Sequence, residues 1–147
     1  MANLTDHMYA GDARIPFSVG GQGQGRIRID TSWGTTNLGA GDQQVVFKAA
    51  KDCYVSNFAL VSTDMDTHAT PTLEFDVGIV ADDDEFIVGT GLTIGEAGGT
   101  TVVNAVDEST VAGTVLAADA TIIISVRTAA ATAAAGTTNL SFDVALV

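Results

Sequence analysis

The stretch Leu73-Glu74-Phe75-Asp76-Val77-Gly78-Ile79 sets an apolar residue at every second position and carboxylates between them. Side chains alternate between the two faces of a strand, so this pattern predicts a core face of Leu73, Phe75, Val77 and Ile79, and a polar face carrying Glu74 and Asp76. The end of the chain repeats it in Leu140-Ser141-Phe142-Asp143-Val144-Ala145-Leu146. Arg26-Ile27-Arg28-Ile29-Asp30 alternates in the same way and puts its two arginines on one face. Gln44 to Ala49, Cys53 to Ser62 and Ala120 to Thr128 are further strand candidates, with shorter ones at Phe86 to Val88, Thr101 to Asn104 and Thr114 to Leu116. Cys53 to Ser62 carries apolar residues on both faces and is expected to be central. About eight to ten strands, with no helix-period segment long enough for a βαβ crossover, predict an all-β fold, an antiparallel β-sandwich of jelly-roll type.

The opening of the chain lacks a sustained period and closes on Gly20-Gly21-Gln22-Gly23-Gln24-Gly25, which has too much backbone freedom to hold regular structure by itself. The expected organisation is an extended N-terminal arm with a glycine-rich joint over residues 1–25 and a β-sandwich domain over residues 26–147. Gly89 to Gly99 reads as a glycine-rich excursion, and the Ala/Thr tract Ala129 to Gly136 as a helical turn or a wide loop.

A chain of 147 residues can bury roughly 70% of its unfolded surface, enough for one core without metals or disulfides. Only 16% of residues are charged, against about 25% in ordinary domains, so much of the surface must be finished with Thr, Ser, Asn, Ala and Gly. A surface that low in charge suggests that part of it is covered in use. The single Cys53 has no partner for an intrachain bridge and reads as a small buried hydrophobe. The first 25 residues lack a basic segment followed by an apolar run, so no signal peptide is expected, nor any membrane partner.

The net charge of -12 argues against nucleic acid as a partner, because such binding depends on Lys and Arg displacing counterions from phosphates. Residues 1–51 hold five bases, Arg14, Arg26, Arg28, Lys48 and Lys51, against four acids; residues 52–147 hold fourteen acids against Arg127. The five bases are the expected partner-binding residues, suited to an acidic protein surface.

Two acidic clusters raise the question of a cation: Asp64-Met65-Asp66 with His68, and Asp82-Asp83-Asp84-Glu85. Calcium takes six to eight oxygens, about what such carboxylates and nearby carbonyls supply, so Asp64, Asp66, Asp82, Asp83 and Asp84 are the candidate ligands. The spacing is not that of an EF-hand, and a solvated acidic turn is the commoner meaning; no cofactor is expected. For catalysis only His7 and His68 offer an imidazole, and no nucleophile elbow, zincin helix or phosphate loop is present, so no enzyme is expected. Trp33 and Tyr54 are the aromatic residues that a glycan-binding sandwich would use, although core packing is their commoner fate.

The segments Pro71-Thr72-Leu73-Glu74-Phe75-Asp76-Val77-Gly78, Ala81 to Gly89, Glu96-Ala97-Gly98-Gly99, Asp119-Ala120-Thr121-Ile122 and Val126 to Gly136, with the closing strand, resemble capsid cement or decoration proteins of tailed bacteriophages. The resemblance covers about residues 38 to 147 and includes no catalytic signature. It implies a small β-sandwich, made in the host cytoplasm, that assembles as a homotrimer on the outer surface of the virion capsid and braces neighbouring copies of the major capsid protein. The alternative is a tail-fibre or host-attachment sandwich that binds glycan.

Overall fold

A computed structural model describes residues 7–10, 13–16, 24–90, 93 and 114–147. Among the described residues there are ten strands: β1 (His7–Ala10), β2 (Ala13–Pro16), β3 (Gln24–Trp33), β4 (Gln43–Lys48), β5 (Cys53–Ser62), β6 (Glu74–Ile79), β7 (Asp82–Ile87), β8 (Thr114–Leu116), β9 (Thr121–Thr128) and β10 (Gly136–Leu146). Among the described residues there is no helix, and hence none long and apolar enough to cross a membrane.

The strands form two antiparallel sheets, ordered β2-β1-β4-β9-β6-β7 and β3-β10-β5-β8. Without the β1–β2 hairpin, the eight strands β3 to β10 divide into β4-β9-β6-β7 and β3-β10-β5-β8, the winding of a jelly roll in which the first strand pairs with the last. The expected β-sandwich is therefore present, and its opening residues hold a hairpin joined to β4 through the pair Tyr9 and Lys48. The expected strand at Thr101 to Asn104, most of the Gly89 to Gly99 excursion and the Glu96 to Gly99 segment lie outside the described residues.

The core closes on aromatic rings from both sheets. Phe58 of β5 stacks on Phe86 of β7 at 4.2 Å and on Phe142 of β10 at 4.9 Å, and Phe142 meets the edge of Phe47 of β4 at 5.2 Å. Trp33 is only 2% exposed, packs on Phe75 at 4.9 Å and donates its indole N–H to the buried Thr138 hydroxyl at 3.0 Å. A buried indole with its one donor satisfied is a core residue, so Trp33 cannot serve as a glycan platform.

Three expectations are corrected by the packing. β5 is interior as expected, but it buries one face rather than two: Cys53, Val55, Phe58, Leu60 and Ser62 are buried, and Asn57, in the left-handed region at φ 55, takes up the extra residue that shifts the phase. The bulge lies where the register with β10 slips between Ser141 and Asp143. Asp82 to Glu85 is no turn but the first part of β7, because a two-residue connection, Val80-Ala81, already closes the β6–β7 hairpin. Asp76 does not face solvent; it is 3% exposed, and β6 is buried on both sides from Phe75 to Gly78. The Ala129 to Gly136 tract resolves as a loop up to Ala135, with Gly136 opening β10, and is tied to the segment before β6 by the bridge between Asp66 and Ala133.

Candidate interaction surface

The outer face of the β3-β10-β5-β8 sheet is built from the positions between its core residues. On β10 these are Thr137, Asn139, Ser141, Asp143 and Ala145, and on β5 they include Tyr54, Ser56, Ala59 and Val61. Register sets Ala145 opposite Tyr54, and Tyr54 opposite Val115 of β8, so one end of the face carries a short apolar line. Val115 is 58% exposed. Beside it lies an open depression of about 460 Å³ lined by Gly25, Tyr54, Ser56, Asp143, Val144 and Ala145. The remainder is short and polar, consistent with a surface finished by Ser, Thr, Asn and Ala.

One charged network interrupts this face. Arg26 on β3 donates to Asp143 at 2.8 Å, to the Ser141 hydroxyl at 2.9 Å and to the Asn57 carbonyl at 3.3 Å, while the Asn57 amide donates to the other Asp143 oxygen at 2.7 Å. Burial alone would raise the Asp143 carboxyl, but the Asn57 and Arg26 hydrogen bonds and the Arg26 charge outweigh it and hold it below its ordinary range.

The expected partner-binding bases are not brought together. Arg26 and Arg28 share the outer face of β3 in one sheet, and Lys48 ends β4 in the other, paired with Asp119 at 3.0 Å. Lys51 follows in the β4–β5 connection, and Arg14 belongs to β2, its side chain outside the described residues. The charge division along the sequence is thus not a division in space: winding sets the N-terminal bases Arg26 and Lys48 against the C-terminal acids Asp143 and Asp119.

Of the candidate cation ligands, Asp66 is fully buried and already engaged. Its Oδ1 accepts backbone N–H groups from His68 at 3.3 Å and Thr132 at 2.8 Å; its Oδ2 accepts those of Thr72 at 2.7 Å, Leu73 at 3.2 Å and Ala131 at 2.9 Å. Burial works to raise this carboxyl, and the N–H groups of Thr132, Thr72, Ala131 and Leu73 overcome that and bring it down to about 2. Five N–H donors are what a carboxylate needs in order to stay ionised in a dry site, and they occupy the oxygens that a cation would use. Asp64 meanwhile accepts the N–H of Asp66 at 3.1 Å. Sequence reading found the cluster but not this role, because the donors at Ala131 and Thr132 lie in a loop 65 and 66 positions away.

The second cluster lies on the outer face of the other sheet. Arg127 of β9 bonds the buried Asp76 at 2.9 Å and Asp84 at 3.4 Å, and the Ser125 hydroxyl donates to Asp83 at 3.2 Å. Asp76 also accepts the Gly89 N–H at 2.7 Å. Burial still leaves the Asp76 carboxyl above its ordinary range, against the Gly89 and Arg127 contributions. Asp82 is raised by the Asp84 carboxyl beside it. No group of His, Cys, Asp and Glu among the described residues has the arrangement of a metal site. Cys53 is buried, and its thiol is pushed up to about 11 by that burial and by Asp52, so at neutral pH it is a protonated core residue.

Replacing Arg127 with Met is expected to destabilise the fold at pH 7, because it leaves the buried Asp76 carboxylate without its counter-charge. The Asp76 carboxyl holds its proton more tightly folded than unfolded, so the charge it must bury is absent below the ordinary 3.8 and develops as pH rises through the higher folded value. The loss in urea denaturation should accordingly shrink toward pH 4, and adding Asp76→Asn should remove most of it.

The class this architecture defines is a jelly-roll β-sandwich, in which β3, the first strand of the roll, lies beside the last, β10. No family model matches the chain, and no curated protein matches it. Among solved structures the same fold occurs in a chain of the cyanophage Pam1 capsid asymmetric unit, at TM-score 0.68 and 22% identity, covering 95% of this chain and 97% of that one. It occurs again in a chain of the capsid of Ralstonia phage GP4, at TM-score 0.64 and 20% identity, over 95% of this chain and 87% of the other.

Proposed function

We propose that this chain is a structural protein of a phage virion, a cement or decoration protein that binds the outer face of the head and braces the major capsid protein. The observation that carries this reading is that its fold is matched along nearly its whole length by chains from two phage capsids, with almost the whole of each chain matched in return. Away from Arg26, Arg28, Asp30 and Asp143, the outer face of the β3-β10-β5-β8 sheet carries short uncharged side chains, which supports the same reading because they cost less to desolvate than charged ones. Arg14, Arg26, Arg28, Lys48 and Lys51 are the positive groups that such a chain offers an acidic shell. Many copies on one lattice bind firmly through effective concentration even where each contact is weak. The assembly proposed is the one that the family resemblance implies, a homotrimer around a local threefold. No catalytic role is proposed.

The test is sedimentation of purified chain with phage heads assembled without it, followed by electron microscopy. Saturable binding that adds density to the outer surface and raises the heat resistance of the heads is the expected result. Failure to sediment with the heads, or density only on a tail, would overturn the reading. Binding should weaken as salt rises if the exposed bases face an acidic shell.

A further inference from the structure

Register arranges the outer face of the β3-β10-β5-β8 sheet in cross-strand rows. One row is Asp30, Asn139 and Val61; the next is Arg28, Ser141 and Ala59; the third holds Arg26, Asp143 and Ser56. The first and third rows are satisfied within the chain, because the Asn139 amide donates to Asp30 at 2.6 Å and Arg26 is paired with Asp143 at 2.8 Å. The middle row differs. Arg28 is exposed and makes no hydrogen bond or ion pair with any described residue, whereas Lys48 is paired with Asp119 and Arg127 with Asp76. Opposite it, the Ser141 hydroxyl accepts from Arg26 at 2.9 Å and leaves its own O–H without an acceptor among the described residues.

An arginine in water needs no partner, but an arginine beneath a docked surface does, since a guanidinium loses its hydration there and regains it only from an acid. Opposed side chains of neighbouring strands stand about 5 Å apart, so a partner that covers Ser141 and Ala59 also covers Arg28 and must bring a carboxylate to it. The two faces of the sandwich receive such an acid differently. On the outer face of the other sheet Asp76, Asp82, Asp83 and Asp84 outnumber the base among them, Arg127, and an acidic surface is repelled. On this face Arg26 and Arg28 balance Asp30 and Asp143, and the base left over is Arg28.

On the basis of the proposed function, we infer that the chain sits on the head by the outer face of β3-β10-β5-β8, with the acids of β6 and β7 turned to solvent, and that Arg28 anchors the contact. The partner is an acidic segment of the shell, one carboxylate of which lies between the Arg28 guanidinium and the Ser141 O–H. The planar fork of N–H donors on a guanidinium matches a carboxylate. The rows on either side go under as ready-made pairs, so Arg28 decides where the acid is placed. Of the bases offered to the shell it is the one whose loss is felt most.

The test is co-sedimentation of parent and variant chains, over a concentration series, with heads assembled without the protein. Arg28→Glu removes no bond within the chain; it should keep the far-ultraviolet circular dichroism and native mass of the free protein and weaken binding about tenfold or more. Arg28→Lys keeps the charge without the fork and should fall between Arg28→Glu and the parent. Arg28→Gln should also flatten the dependence of binding on salt. Asp82→Asn, on the opposite face, should leave binding within about twofold of the parent. A parent chain that does not bind heads overturns the proposed function and this inference together. A parent that binds, with Arg28→Glu binding equally well or Asp82→Asn binding much less, overturns the inference and leaves the function standing. An Arg28→Glu chain whose native mass departs from the parent's puts Arg28 between copies of this chain and likewise overturns it.

Discussion

Asp66→Ala is expected to lower unfolding stability by about 4 kcal/mol or more, because it leaves five backbone N–H groups without their acceptor in a buried site. Those donors belong to two loops: His68, Thr72 and Leu73 to the one between β5 and β6, and Ala131 and Thr132 to the one before β10. One carboxylate therefore fixes where two long loops meet, aided by backbone bonds from Thr67 to Thr132 and from Ala134 to Met65, each at 3.0 Å. Asp66→Asn should cost less than Ala but still a large part of the total, since its amide nitrogen is itself a donor and would face donors. The same carboxyl gives the protein an acid limit. Its folded value of about 2 lies below the ordinary 3.8, so its contribution is complete above that ordinary value and is lost as pH falls toward 2. The contribution is on the order of 2 to 3 kcal/mol. Urea denaturation across pH 2 to 6 should show this loss in the parent chain and lack it in Asp66→Asn.

Strand positions were legible because alternation is a local signal: Leu73 to Ile79 and Leu140 to Leu146 reveal their core faces within seven residues. Charge placement was not, because it depends on which strands become neighbours. In a jelly roll the first strand lies beside the last, so Arg26 meets Asp143 across 117 positions, and a basic segment followed by an acidic one becomes paired rather than polarised. Asp76 shows the limit from the other side. Its strand face reads as polar, yet it is buried, and what makes burial tolerable is Arg127, 51 positions away, with the Gly89 N–H. The candidate surface was legible only as a composition, a shortage of charge; the particular Ser141, Ala145 and Tyr54 positions needed the register.

Deleting Asn57 is expected to leave the core face of β5 intact and to cost about 1 to 2 kcal/mol, whereas Asn57→Val should cost about 2 kcal/mol or more. Asn57 is the extra residue between Cys53 and Val55 on one side and Phe58, Leu60 and Ser62 on the other. Without it these five alternate strictly and still share one face, so Phe58 keeps its ring against Phe86 and Phe142. Ser56 and Ala59 then stand two positions apart, as Asp143 and Ser141 do across from them, and the register shift disappears. What deletion removes is the amide bond to Asp143 and the carbonyl that accepts from Arg26. A β-branched side chain keeps the extra residue but must take φ 55, which only Gly, Asn and Asp adopt readily. Asn57→Gly accepts that angle without strain and should cost only about 1 kcal/mol, the amide bond to Asp143. Thermal melting of the three variants separates the strain of the bulge from the bonds that Asn57 makes. A deletion variant that fails to fold would show that the bulge itself, and not the shared core face, is what the sheet requires.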